Sequence, residues 1–278
     1  MCRITAILSV SPAAHEDVLC AGRKSLLAQA GAVEGRFQDD GWGVGSFRGG
    51  KPVVKKSPGP ARLEAPAFRA AARVAVSRVT LAHLREASNP SGLTRASLIG
   101  PANTQPFSAG GFIFAHNGTL FIKDEIRSLL GAYSAKVKGN NDSEVLFWQA
   151  VKMLDAYGDP ATALRMALDE ILTVWVSCRD KYPGKKEPYL GLNLFLASAD
   201  SLTVLCHGRR LKGKGKPALL TPGWEAGRIA WRQEQGRVVF SSEPADDKPG
   251  WKKMDDPSVA SAKLAGGKIK IGFERITL

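Results

Sequence analysis

Cys2 stands directly behind the initiator Met1. Aminopeptidases remove an initiator Met that precedes a small residue, so the mature chain is expected to begin with a thiol that carries its own α-amine. Such an amine has an unperturbed pKa of about 7.7–8.0, and near neutral pH a useful fraction is unprotonated. One residue could then supply both the nucleophile and the base, which is the logic of N-terminal-nucleophile chemistry. Position alone favours a cysteine that only packs in a first strand, so other segments must decide.

Four segments offer complementary groups. Leu81–Ser88 (LAHLREAS) places Arg85 at a strand end, where a guanidinium fork can hold a carboxylate bidentately. Ala115–Thr119 (AHNGT) offers the side-chain amide of Asn117 followed by the Gly118 N–H, a pair suited to an acyl-transfer oxyanion. Asn140–Glu144 (NNDSE) puts Asp142 at a helix start as an acidic partner for a substrate ammonium. Asp40–Gly45 (DGWGVG) reads as a Gly-rich support around Trp42. Each has a plainer reading: a solvated Arg, a hairpin turn, a helix cap.

The elements that must position these groups follow from periodicity and turn residues. Arg3–Val10 reads as a buried strand, and Gly41–Phe47 with Pro52–Lys56 as a hairpin about Gly49-Gly50. Arg62–Val74 is Ala-rich and helical. Val79–Arg85 and Phe112–His116 read as strands, the second ending in an Asn117-Gly118 turn. Lys123–Leu130 is a short helix closed by Gly131. Asp142 is the expected N-cap of a helix through Val145, Leu146, Val151 and Leu154, and Pro160 opens another to about Val176. Strands return at Leu192–Ser198, Leu202–His207, Ile229–Gln233 and Arg237–Ser241, with a final hairpin-like Lys268–Ile276. Strands, then two central helices, then strands again predict one mostly antiparallel α+β layered domain rather than βαβ units. Residues 245–267 read as a candidate peripheral excursion.

With Cys2, and in this order, the segments resemble the class II glutamine amidotransferase domain of the N-terminal-nucleophile hydrolase superfamily. The likeness is greatest to compact, stand-alone members related to the ergothioneine-pathway γ-glutamyl amidohydrolase. It runs from Cys2 to Ser242-Glu243-Pro244, which looks like a late SEP motif of that group. The resemblance implies a four-layer αββα sandwich of two mostly antiparallel sheets. It implies Cys2 as nucleophile, Asn117 and Gly118 as oxyanion hole, Arg85 on the glutamyl α-carboxylate and Asp142 on the α-ammonium. Ser88 stands where relatives place a hydroxyl that helps seat the same carboxylate. Two departures bear on the leaving-group side: Gln105 in Asn103–Phe107 (NTQPF), where relatives commonly carry His, and Asn89, where synthase-coupled members carry His. The activity implied is hydrolysis of glutamine or a γ-glutamyl amide through a Cys2 thioester, with no metal or organic cofactor. The alternatives are a glutaminase subunit that delivers ammonia to a separate synthase partner, and a non-catalytic basic binding module on the same scaffold.

Bulk properties are consistent with this. The 278 residues are 44% hydrophobic and 23% charged, with no apolar run long enough to span a bilayer. Ile4–Val10 is too short and poorly flanked for a signal peptide, and Glu16-Asp17 with bulky Leu19 argue against a lipoprotein site at Cys20. Cysteines 2, 20, 178 and 206 form no CxxC pair and no disulfide framework, so a cytoplasmic, reducing setting is expected. The net charge of +13 comes largely from scattered Lys/Arg loops with no basic helical stripe. It reads as a solvated surface rather than a nucleic-acid interface. Gly208–Gly215 (GRRLKGKG) lacks the Ser/Thr of a phosphate loop and reads as a basic hairpin loop; His15, His83, His116 and His207 lack metal-ligand spacing.

Overall fold

The computed structural model describes residues 2–32, 37–90, 92–208 and 219–278. Met1 and most of the basic loop at 208–215 therefore lie outside the described residues. In chain order the strands are β1 (Arg3–Ala13), β2 (Trp42–Arg48), β3 (Lys51–Ser57), β4 (Ser77–Leu84), β5 (Phe107–Ala109), β6 (Phe112–Leu120), β7 (Tyr189–Ala197), β8 (Ser201–Cys206), β9 (Ala230–Glu234), β10 (Arg237–Ser241), β11 (Lys252–Lys253), β12 (Ser258–Ala265) and β13 (Lys268–Arg275). The α-helices are α1 (Leu26–Gln29), α2 (Ala65–Val74), α3 (Arg95–Leu98), α4 (Lys123–Ser128), α5 (Asp142–Tyr157) and α6 (Pro160–Cys178).

Two antiparallel sheets result. The first runs β11-β9-β10-β1-β4-β2-β3, the second β13-β12-β8-β7-β6-β5. β1 lies at the centre of the first, between β10 and β4. Its two faces are both covered, so it is buried continuously from Arg3 to Ser9. Ile4, Ala6 and Leu8 enter the layer between the sheets, where they meet Ile113, Ala115, Phe195 and Val204. Ile7 turns outward and packs in a second cluster with Leu26 of α1 and Phe68 of α2. A third cluster joins the other face of the second sheet to α5 and α6, through Phe114, Leu194, Phe147 and Leu168. A strand buried on both faces cannot show the polar alternation of a half-exposed one. The layers are thus helix, sheet, sheet, helix, the αββα order expected.

Three local readings need correction. The Asn117-Gly118 pair is no turn: β6 continues through both to Leu120, with a bulge against β7 between Gly118 and Thr119. Asp142 is not the cap of α5; Asn141 is, its side chain accepting from the Glu144 N–H at 2.8 Å, and Asp142 is the first helical residue. Most of the C-terminal half of the 245–267 stretch is β12, paired with β8 on one side and β13 on the other, with Val259, Ala260 and Ala262 buried. Short side chains, two of them Ala, carry a weak strand signal there. The β2–β3 hairpin does turn on Gly49-Gly50, with φ of 56° and 76°, values that suit glycine at both central positions.

Candidate active site

Cys2 precedes β1 and Arg85 follows β4, and the register Arg3↔Leu84 sets the two side by side at one end of the first sheet. Cys2 is buried, and its Sγ lies 3.4 Å from both the N–H and the carbonyl oxygen of Glu86. Burial pushes the thiol pKa up; the Arg85 and Arg3 charges pull it down, and Asp142 adds to the rise. From the facing sheet, Asn117 Nδ2 donates to the Cys2 carbonyl at 3.0 Å. A primary amide has two N–H donors. One is directed at Cys2, and the second is available to a reacting group.

Gly118 follows on the bulge. A Cβ there would overlap the Gly191 carbonyl oxygen of β7, so only glycine permits this approach. Arg85 is buried, and its Nη1 donates to the carbonyl oxygens of Leu98 (2.8 Å) and Asp40 (3.3 Å). Asp142 accepts the Leu120 N–H at 2.6 Å, which locks the start of α5 to the end of β6. Ser88 and Asp142 line one hollow, together with Asn89, Leu98, Lys123 and Asn140. Cys2 and Arg85 thus meet Asn117 of the facing sheet, with Gly118 next to Asn117 on β6, Asp142 tied to the end of that strand, and Ser88 sharing a hollow with Asp142.

Several further groups brace these residues, the DGWGVG segment among them as its composition suggested. Asp40, at the head of DGWGVG, accepts the Ala87 N–H at 2.8 Å and pairs with Arg95 at 2.6 Å, fixing the loop behind Arg85. Trp42 of the same motif donates to Glu64 at 2.7 Å and packs edge-on against Phe68. Arg3 Nη1 donates to the Cys2 carbonyl at 3.3 Å, and its Nε lies 3.8 Å from the fully buried Glu243. The SEP motif is therefore tied to the start of β1, where Ser242 Oγ also accepts the Ile4 N–H at 2.9 Å. A cation opening an otherwise apolar strand was the available signal that a buried acid awaited it. His116 Nδ1 shares a hydrogen bond with Ser143 Oγ at 3.0 Å, and burial holds its pKa below the ordinary value. Among the described residues no group of three or more His, Cys, Asp or Glu could hold a metal ion.

Residues 6–212 match the model of the class-II glutamine amidotransferases. Two proteins named gamma-glutamyl-hercynylcysteine sulfoxide hydrolase are similar in sequence. The one from Mycolicibacterium smegmatis is 27% identical, covering 95% of this chain and 97% of its own. The one from Mycobacterium tuberculosis is also 27% identical, covering 84% and 78%. Among solved structures, a glutamine aminotransferase class-II domain protein from Silicibacter pomeroyi superposes with a TM-score of 0.66 at 18% identity, covering 99% of this chain and 100% of that one. Glutamine phosphoribosylpyrophosphate amidotransferase from B. subtilis gives 0.62 at 13%, covering 97% of this chain and 48% of that one. These last two likenesses establish the fold: two antiparallel sheets between helical layers.

Proposed function

This chain belongs to the class II glutamine amidotransferase family, and we propose that it is a hydrolase that releases glutamate from a γ-glutamyl amide. In this reading Arg85 receives the substrate α-carboxylate and Asp142 the α-ammonium, with Ser88 assisting at the carboxylate. The γ-carbonyl then lies against Cys2. The amine of Cys2, released by loss of Met1, takes the thiol proton as Sγ attacks. The second N–H of Asn117 and the N–H of Gly118 stabilise the tetrahedral oxyanion. The same ammonium protonates the departing amine, leaving a γ-glutamyl thioester. Water cleaves the thioester, which returns the thiol and frees glutamate.

The observation that carries the reading is the Asn117 amide, held 3.0 Å from the Cys2 carbonyl by a strand of the opposite sheet. The names of both sequence relatives, each a hydrolase of a γ-glutamyl compound, support free-standing hydrolysis. A glutaminase subunit that feeds ammonia to a separate synthase would share every residue of this mechanism, and nothing in the site favours it. All four cysteines are free, which fits a reducing, cytoplasmic setting. The test is a panel of γ-glutamyl amides, glutamine included, assayed for glutamate release with protein whose N-terminus is defined by intact mass. Release should require an N-terminal Cys2 and vanish in Cys2→Ala. Release by a chain that retains Met1, or by Cys2→Ala, would overturn the mechanism.

A further inference from the structure

The segment Asn103–Gln105 takes no part in the chemistry above, yet its polar groups bond to the chain beside Asn117, Asp142 and Leu98. Gln105 is 2% exposed. Its Oε1 accepts the His116 N–H at 2.6 Å and its Nε2 donates to the His116 carbonyl at 3.2 Å. One side chain thus pairs with both main-chain groups of β6, as a neighbouring strand would, immediately before Asn117 and Gly118. Strand β5 stops short of this point, its last register partner being Phe107↔Phe114. Gln105 extends that pairing by the two groups the strand itself cannot reach.

Asn103, 5% exposed, reaches the opposite way. Its Oδ1 accepts the Asn140 N–H at 2.7 Å, and its carbonyl accepts the Asn141 side-chain amide at 2.7 Å. Asp142 follows directly. Asn103 Nδ2 donates to the Ser97 carbonyl at 3.0 Å, one residue before Leu98, whose own carbonyl holds Arg85. Asn140 Nδ2 closes the ring onto Ser97 at 3.1 Å.

We propose that Asn103 and Gln105 are positioning residues: Asn103 holds Arg85 and Asp142 in mutual register, and Gln105 sets the oxyanion strand against them. The two residues are adjacent but for Thr104, so the glutamyl clamp and the oxyanion donors are braced from one short piece of chain. This rests on the γ-glutamyl reading above. It also moves Gln105 away from the leaving-group side, where the resemblance had put its departure, to the main chain behind the oxyanion hole.

The two halves of the brace predict opposite kinetic signatures. Asn103→Ala loosens the clamp and should raise KM for a γ-glutamyl amide about tenfold, with kcat nearly unchanged. Gln105→Met keeps the length but neither hydrogen bond, and should lower kcat about 10–100-fold with KM nearly unchanged, since small misplacements of reacting groups act at that scale. Amide hydrogen exchange supplies a reading independent of activity. The His116 amide should exchange faster in Gln105→Met alone, and the Asn140 amide in Asn103→Ala alone. If either variant fails to fold, Asn103→Asp and Gln105→Glu remove the donor but keep the acceptor of the exchanging amide, so they test the kinetic split and not the exchange. Parallel changes of kcat and KM in both variants, or wild-type kinetics in both, would overturn the proposal, as would unaltered exchange at both amides. A wild-type enzyme that cleaves no γ-glutamyl amide would instead remove the functional reading, with the exchange pattern still deciding whether the brace exists.

Discussion

Burial works against ionisation of Cys2 and pushes its thiol pKa above the ordinary value. That suits a nucleophile whose proton is removed during attack by an adjacent amine. Alkylation of Cys2 in the unliganded enzyme should accordingly lag that of free cysteine at pH 7 and keep rising beyond the ordinary thiol range near about 8.5. A labelling rate that is already flat below pH 8 would contradict it. In the proposed mechanism Arg85 serves recognition and Asn117 serves chemistry. Arg85→Lys keeps the charge but loses the planar fork, and should act mainly on KM. Asn117→Ala should lower kcat by about 10²–10³, the scale for one oxyanion donor, with KM little changed. Steady-state kinetics on one γ-glutamyl amide checks both.

At the scale of elements, β6 and α5 do most of the positioning. Asn117 and Gly118 lie within a strand, and the bulge after Gly118 turns the local main chain without releasing it to solvent. Gly118→Ala should abolish activity, because its methyl would occupy the space of the Gly191 carbonyl; a soluble, active variant would mean that β7 can yield there. The N-cap Asn141 stands one residue before Asp142. Asn141→Ala should lower stability by about 1 kcal/mol, read as a shift of the denaturation midpoint. It should also raise KM, since the first turn of α5 carries the proposed ammonium partner.

Across the whole molecule, the second sheet depends on its last two strands. Ending the chain after Pro257 would strip β12 and β13 from β8 and uncover the inter-sheet cluster around Leu202 and Val204. Such a chain should lose cooperative thermal unfolding. Acid should also weaken the fold through buried imidazoles. Burial, with the Arg85 charge nearby, holds His83 at a pKa of about 3, and burial with Arg237 holds His15 at about 4. The unfolded chain takes up these protons near about 6.5 while the folded chain does not, so stability is present above that pH and falls between about 6.5 and 3. The stability of His83→Leu, measured against wild type across that window, should shift in the variant's favour as pH falls. A constant difference would show that His83 does not titrate with unfolding.

Local chemistry was enough to nominate the candidate reactive parts. Cys2 behind Met1, Arg85 at a strand end, Asn117-Gly118 and Asp142 are each written in a few consecutive residues, and the order of strands and helices followed from periods of two and of about four. Two features were hidden for a common reason: their signal lies in a partner far along the chain. Asn117-Gly118 has the composition of a turn, and only the β7 backbone, arriving from residues 189–197, makes it a strand with a bulge. The Ala-containing β12 has too little apolar character to declare itself, and it becomes a strand because β8 and β13 pair with it on both sides. The same holds for Arg3 with Glu243 and for Gln105 with His116, polar groups whose burial is tolerable only once the opposite partner is in place. Sequence determined which groups could react; packing two sheets face to face decided which of them meet.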